Sequence, residues 1–134
     1  MKSKYFFVIF LLISAIFLSG CILNLNLLGQ TRFTVDGKVY GLAGAEELLP
    51  GQEGSIVTIW LCRVGGPTQE SDAETISQVT GIVIVNPEGT SVGVTEVIYD
   101  GGIYDGGVKI SFETGGKSGP WTLIWPSYEP MLII

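Results

Sequence analysis

Between Arg32 and Trp125 apolar side chains recur at every second residue, and glycine-rich breaks separate the runs before any helix could lengthen. A period of two sends alternate side chains to opposite faces of an extended strand, so such a chain buries its apolar residues by forming sheets. Phe33, Val35 and Val39 alternate with Arg32, Thr34, Asp36, Lys38 and Tyr40, the pattern of a strand with one wet face. Ser55 to Val64 is apolar on both faces, with Val57, Ile59 and Leu61 on one and Ile56, Trp60 and Cys62 on the other, as a central strand requires. Further strands are predicted over Thr75–Val79, Ile82–Asn86, Ser91–Tyr99, Val108–Glu113 and Trp121–Trp125, with a bulge at Gly81. Only Ala43–Leu49 has a helical composition, and Pro50 limits it to two turns.

The breaks carry turn chemistry. Asn86-Pro87-Glu88-Gly89 has proline second and glycine fourth, which suits a type I turn, and Lys117-Ser118-Gly119-Pro120 separates the last two strong strands. Many short strands with hardly any helix predict an all-β fold, a single antiparallel β-sandwich over residues 32–134, Ig-like or jelly-roll-like, with a small barrel as the alternative.

Residues 1–31 are of another kind. Lys2 and Lys4 precede an apolar run from Tyr5 to Leu18 that ends in Leu18-Ser19-Gly20-Cys21. A basic start, an apolar stretch and small residues before a cleavage point describe a signal peptide over 1–20. The Leu-Ser-Gly-Cys tetrad resembles the lipobox of prokaryotic lipoproteins. That resemblance implies that Cys21 takes a diacylglyceryl group and becomes the first residue of the mature chain. The alternative is an uncleaved membrane span, because Tyr5 to Leu23 is 19 residues without a charge. Either way the two lysines stay in the cytoplasm, and the domain faces the extracytoplasmic side of the cell membrane or outer membrane. Residues 21–31 then form a short tether, unusually apolar in Ile22-Leu23-Asn24-Leu25-Asn26-Leu27-Leu28.

Two further resemblances concern the domain. Asn86-Pro87-Glu88-Gly89-Thr90, followed by Gly119-Pro120-Trp121-Thr122-Leu123, is similar to the P-domain of subtilisin-like convertases, a jelly-roll β-sandwich; the match runs from Ile82 to Trp125, about a third of the chain. Val35 to Tyr40, with Gly37-Lys38-Val39 at its centre, resembles the opening strand of bacterial Ig-like and transthyretin-like envelope modules. Both imply a fold and neither supplies a functional residue.

Composition narrows the function. Removing residues 1–20 leaves 114 residues and takes the formal charge from −6 to −8, since Lys2 and Lys4 leave with them. Five basic residues in an acidic domain leave no footprint for nucleic acid or anionic headgroups. The absence of histidine excludes Ser-His-Asp and Cys-His catalysis, and one cysteine besides Cys21 cannot build a zinc site. The chain is therefore expected not to be an enzyme. Its expected role is a non-catalytic binding or structural accessory protein of a cell-envelope assembly, with a protein partner.

A glycan- or calcium-binding module is the alternative. Asp100 and Asp105 lie in the repeat Ile98-Tyr99-Asp100-Gly101-Gly102 and Ile103-Tyr104-Asp105-Gly106-Gly107, where two carboxylates and nearby carbonyls could gather around calcium, or simply form a hairpin tip. Trp121 and Trp125 share one face of the last strong strand, where they either stack on a sugar or fill the core. Glu70-Ser71-Asp72-Ala73-Glu74 reads as a solvated loop, and Cys62 as a buried, inert thiol. Met131-Leu132-Ile133-Ile134 either pairs as a final strand or docks on a partner.

Overall fold

The computed structural model describes residues 31–102 and 106–134. The signal peptide, Cys21 and nearly all of the tether lie outside these residues, as does Asp105. The described chain forms β1 (Arg32–Val35), β2 (Lys38–Leu48), β3 (Ile56–Arg63), α1 (Glu70–Ser77), β4 (Val83–Val85), β5 (Ser91–Gly93), β6 (Glu96–Asp100), β7 (Gly107–Glu113), β8 (Thr122–Ile124) and β9 (Met131–Leu132). These build two antiparallel sheets in the orders β1-β2-β3-β7-β6 and β5-β4-β8-β9. The fold is the expected all-β sandwich.

Alternation decides which side chains meet between the sheets. Tyr40 and Leu42 from β2, Val57, Ile59 and Leu61 from β3, and Val108, Ile110 and Phe112 from β7 point inward from the five-stranded sheet. Ile84 and Leu123 answer from the four-stranded one. Trp121 and Trp125, which flank β8, are 0% and 2% exposed and are among the largest buried side chains. Each fully buried aliphatic side chain of this kind stabilises the fold by about 1.5–3 kcal/mol relative to an exposed one.

The connections follow the local chemistry. Asp36 (φ 51°) and Gly37 (φ 77°) are both left-handed, the requirement of the two-residue turn that matches the twist of a hairpin, here β1–β2. At the Asn86–Gly89 turn the Gly89 amide donates to the Asn86 carbonyl at 3.0 Å. The Asn86 side chain accepts from the amides of Glu88 (3.1 Å) and Thr90 (2.8 Å) and donates to the Ser118 carbonyl at 3.1 Å. One side chain thus ties together the two punctuation segments that the sequence marks.

Five expectations change. Arg32–Tyr40 is not one strand: it turns at Asp36–Gly37 from β1 into β2, which sets Tyr40 in the core and not on the wet face. Ala43–Leu49 is not helical: β2 runs through to Leu48, because β3 supplies a ladder partner as far as Ile56, and such pairing overrides an intrinsic preference. The bulge falls in this strand, between Leu42 and Gly44, and not at Gly81, which is a left-handed turn residue (φ 91°) on the way into β4. Thr75–Val79 does not form a strand; it belongs mostly to α1, which also takes up the acidic stretch read as a loop. Ser91–Tyr99 is two strands in different sheets, and the chain crosses at Val94 and Thr95. Thr95 fixes the crossing onto β7: its amide donates to the Ser111 carbonyl at 2.7 Å, and its hydroxyl accepts from the Glu113 amide at 2.9 Å.

Candidate functional site

Two regions could carry function: a buried polar cluster under α1, and the outer face and edge of the four-stranded sheet. The cluster begins with a register. Tyr40 on β2 pairs with Arg63 on β3, so their side chains emerge together on the inner side, under α1. Asp72, in the first turn of α1, meets both. The Tyr40 hydroxyl donates to its Oδ1 at 2.6 Å, Arg63 Nη1 lies 3.6 Å from the same oxygen, and the Gln69 amide donates to its Oδ2 at 2.8 Å. Tyr40 and Asp72 are fully buried, while the Arg63 side chain stays one-third exposed.

Burial pushes the Tyr40 phenol well above its ordinary range, and the hydrogen bond to Asp72 and that residue's negative charge push it the same way. The cluster buries a carboxylate with both oxygens partnered, and Arg63 Nη1 lies beside it. That arrangement fastens α1 to the sheet.

The second region is apolar and open. On the outer face of the four-stranded sheet Val83 pairs with Ile124, Val85 with Thr122, and Thr122 with Leu132. Val83, Val85 and Ile124 are half-buried. Leu132 is 70% exposed and Ile134 37%. Met131 and Ile133 turn inward onto the core, and Met131–Leu132 pairs with β8 as the final strand. Backbone bonds from the Trp121 amide to the Ile134 carbonyl (2.7 Å) and from the Ile133 amide to the Trp121 carbonyl (3.0 Å) hold it there. β9 is the edge of its sheet, and among the described residues its outer side has no strand beside it. The opposite sheet is treated differently: at its β1 edge the Thr34 amide donates to the Tyr128 hydroxyl at 2.8 Å.

The sequence candidates fall as follows. Trp121 and Trp125 are core residues, which corrects the stacking-platform reading: a sugar cannot reach rings that are 0% and 2% exposed. Trp125 stacks on Phe33, with centroids 4.2 Å apart, and the Trp121 indole N–H donates to Glu47 Oε2 at 3.1 Å. Asp100 Oδ1 accepts from the Gly102 amide at 2.9 Å, the turn bond of a hairpin tip. Asp105 lies outside the described residues, so the proposed pair cannot be placed together. Among the described residues no three acidic or sulfur side chains gather as a metal site. Cys62 is buried and disulfide-bonded, which corrects the inert-thiol reading; its Sγ lies 3.9 Å from the Gly106 carbonyl. Asp72 was hidden in a charge run that looked solvated. Val83, Val85 and Ile124 were not singled out either, although Ile82-Val83-Ile84-Val85 is apolar on both faces, which is the signal for a strand whose second face also needs cover.

No family model, no curated protein and no solved structure matches the chain. No helix among the described residues is long and apolar enough to cross a membrane.

Proposed function

We propose that this chain is a lipid-anchored, extracytoplasmic β-sandwich that serves as a non-catalytic accessory protein of a cell-envelope assembly. The apolar outer face of the four-stranded sheet is its docking surface. The observation that carries this is Leu132, 70% exposed on an edge strand beside Val83, Val85 and Ile124. An open edge offers backbone donors and acceptors to an added strand, and the apolar row beside it offers side-chain contact. The lipobox-like Leu18-Ser19-Gly20-Cys21 supports anchoring through Cys21.

The test uses the full-length protein with an affinity tag inserted in the exposed Gly65–Gly66 turn, recovered from gently solubilised native membranes. A stoichiometric partner is expected, and Leu132→Lys should release it without lowering the melting temperature. Recovery of the protein alone would sink the assembly role. The same preparation gives an intact mass, and one that begins at an acylated Cys21 would select the lipid anchor.

The disulfide at Cys62 favours a second reading of the anchor. The chain has two cysteines, and an acylated Cys21 cannot also form a bridge. A Cys62 bridge within one chain therefore goes with a retained apolar span over Tyr5–Leu23. An unprocessed mass, with a linked Cys21–Cys62 peptide, would select it.

A further inference from the structure

We infer that the outer face of the five-stranded sheet, centred on Trp60, is the docking site for the chain's own tether, which lays Leu25, Leu27 and Leu28 over it as a third layer. The inference rests on the second reading of the anchor, a Cys21–Cys62 bridge within one chain, and adds what that bridge holds in place.

Burial on this face is the first observation. Gly41 pairs with Cys62, Gly44 with Trp60 and Thr58 with Ser111, and all six lie on the side away from the core, since Tyr40, Val57, Ile59 and Leu61 point the other way. The outer side of a two-layer antiparallel sandwich is ordinarily wet. Here Cys62 is 1% exposed and Thr58 3%, and Ser111 and Ala43 are buried too. Neither α1 nor the four-stranded sheet supplies the cover, because Ile76, Ile84 and Leu123 pack against the opposite, inner side. Ala43, Cys62 and Trp60 form a small apolar cluster of their own, apart from the main core. The Trp60 indole N–H is shut off from solvent without a hydrogen-bond partner. A polar cover would offer it an acceptor, whereas hydrocarbon leaves it orphaned.

Covalent connectivity names the occupant. Cys62 is disulfide-bonded, and the chain's one other cysteine is Cys21. Arg32 pairs with Gly41 and Gly41 with Cys62. The start of β1 and the bridge therefore sit on one cross-strand row, two strand spacings or about 10 Å apart. Ten residues separate Cys21 from Arg32, and a chain of that length reaches about 36 Å when fully extended. Both ends of this slack segment are thus fixed beside Trp60. It carries no charge before Arg32, and its leucines lose their contact with water by folding back onto the face between its ends. Gly41, Ala43 and Gly44 present no bulky side chain there to hold them off. The sandwich then has one face closed by its own chain, and the four-stranded sheet keeps the open one.

The experiment is hydroxyl-radical footprinting of the full-length protein in detergent micelles, with unreduced peptide mapping and non-reducing electrophoresis of the same sample. Wild type is compared with Leu25→Asp/Leu27→Asp, whose acidic tether would be repelled by Glu46 and Glu96, aligned through Thr58 and Ser111 across that face. A several-fold rise in Trp60 oxidation is expected in the variant, while the core residues Trp121 and Trp125 stay protected in both. If the acidic variant also exposes Trp121 and Trp125, the milder Leu25→Ser/Leu27→Ser gives the same readout. Equal Trp60 oxidation in wild type and variant, with the Cys21–Cys62 peptide present, would overturn the inference and leave the bridge standing; the cover would then lie elsewhere, Ile103–Tyr104 included. A mature chain that begins at an acylated Cys21 would overturn the bridge and the inference with it. A Cys21–Cys62 link confined to a covalent dimer would overturn it in favour of a second copy.

Discussion

The hydroxyl of Tyr40 lies 2.6 Å from Oδ1 of Asp72, a bond that spans 32 residues and joins a central strand to the one helix of the described fold. Hydrogen bonds to a charged group contribute about 1.5–3 kcal/mol, and loss of a partner leaves a buried carboxylate with one oxygen less satisfied. Tyr40→Phe is therefore expected to destabilise the domain by about 2 kcal/mol, read as a lower urea midpoint with an unchanged slope. Asp72→Ala should cost at least as much, and the double variant less than the sum of the two.

The same pair sets an alkaline limit. Burial, followed by the bond to and charge of Asp72, raises the folded-state ionisation of Tyr40 above the unfolded value of about 10. The stability tied to this proton is complete below pH ~10 and is lost as pH climbs toward the folded-state value, because the unfolded chain releases the proton first. Urea midpoints should hold level up to about pH 10 and fall above it, and Tyr40→Phe should flatten that fall. A fall of the same size in the variant would mean another group is responsible.

Asn86 is 5% exposed and makes three side-chain hydrogen bonds. Asn86→Ala should cost about 1–2 kcal/mol by removing three part-buried hydrogen bonds at once. Asn86→Asp keeps the oxygen that accepts from Glu88 and Thr90 but sets a carboxylate oxygen against the Ser118 carbonyl, so its melting temperature is expected to recover on acidification. Asn86→Ala should show no such recovery.

At Gly119 an added Cβ would stand 2.7 Å from Cδ1 of the buried Trp121, whereas at Gly115 it would meet nothing within 4 Å, although φ there is 60°. Gly119→Ala should cost about 1–3 kcal/mol through overpacking. Gly115→Ala should cost only the smaller left-handed penalty of about 1–2 kcal/mol. Thermal melts of the two variants rank them, and the reverse order would contradict the packing at Trp121.

Tyr128 closes a strand edge. Tyr128→Phe removes the acceptor for the Thr34 amide and should lower stability by no more than about 1.5 kcal/mol, since the bond is exposed. Hydrogen exchange gives the sharper readout: protection at Thr34 is expected to drop, while that at Phe33, whose ring lies under Trp125 and Tyr128, should follow the global change only.

Most of the sandwich was legible because its inner rows obey a strict alternation: Val57, Ile59 and Leu61 face Val108, Ile110 and Phe112 across one ladder. α1 was illegible because eight residues bury only Asp72 and Ile76, too few apolar positions to set a helical period. A charge in its first turn reads as solvated until Tyr40 and Arg63, far away in the chain, are seen beneath it. β2 misled in the opposite sense, since its Ala, Glu and Leu favour a helix and only pairing with β3 makes them a strand. The docking face went unread because exposure is settled by what fails to cover Val83 and Ile124, and a single strand's pattern holds no record of that.

The pairings also fall into two classes of loop closure. β1–β2–β3, β4–β5, β6–β7 and β8–β9 join neighbours in the chain, whereas β3–β7 and β4–β8 each close a long excursion. Hairpins form in microseconds, while folds dominated by distant pairings take milliseconds to seconds. The crossing at Val94–Thr95 links these two slow closures: once Thr95 is fastened to β7, the β4–β5 hairpin is carried to the sheet that β8 must complete. The two sheets should therefore assemble as one kinetic event, with a single folding phase for both, and substitution of Thr95 should slow that phase more than it speeds unfolding.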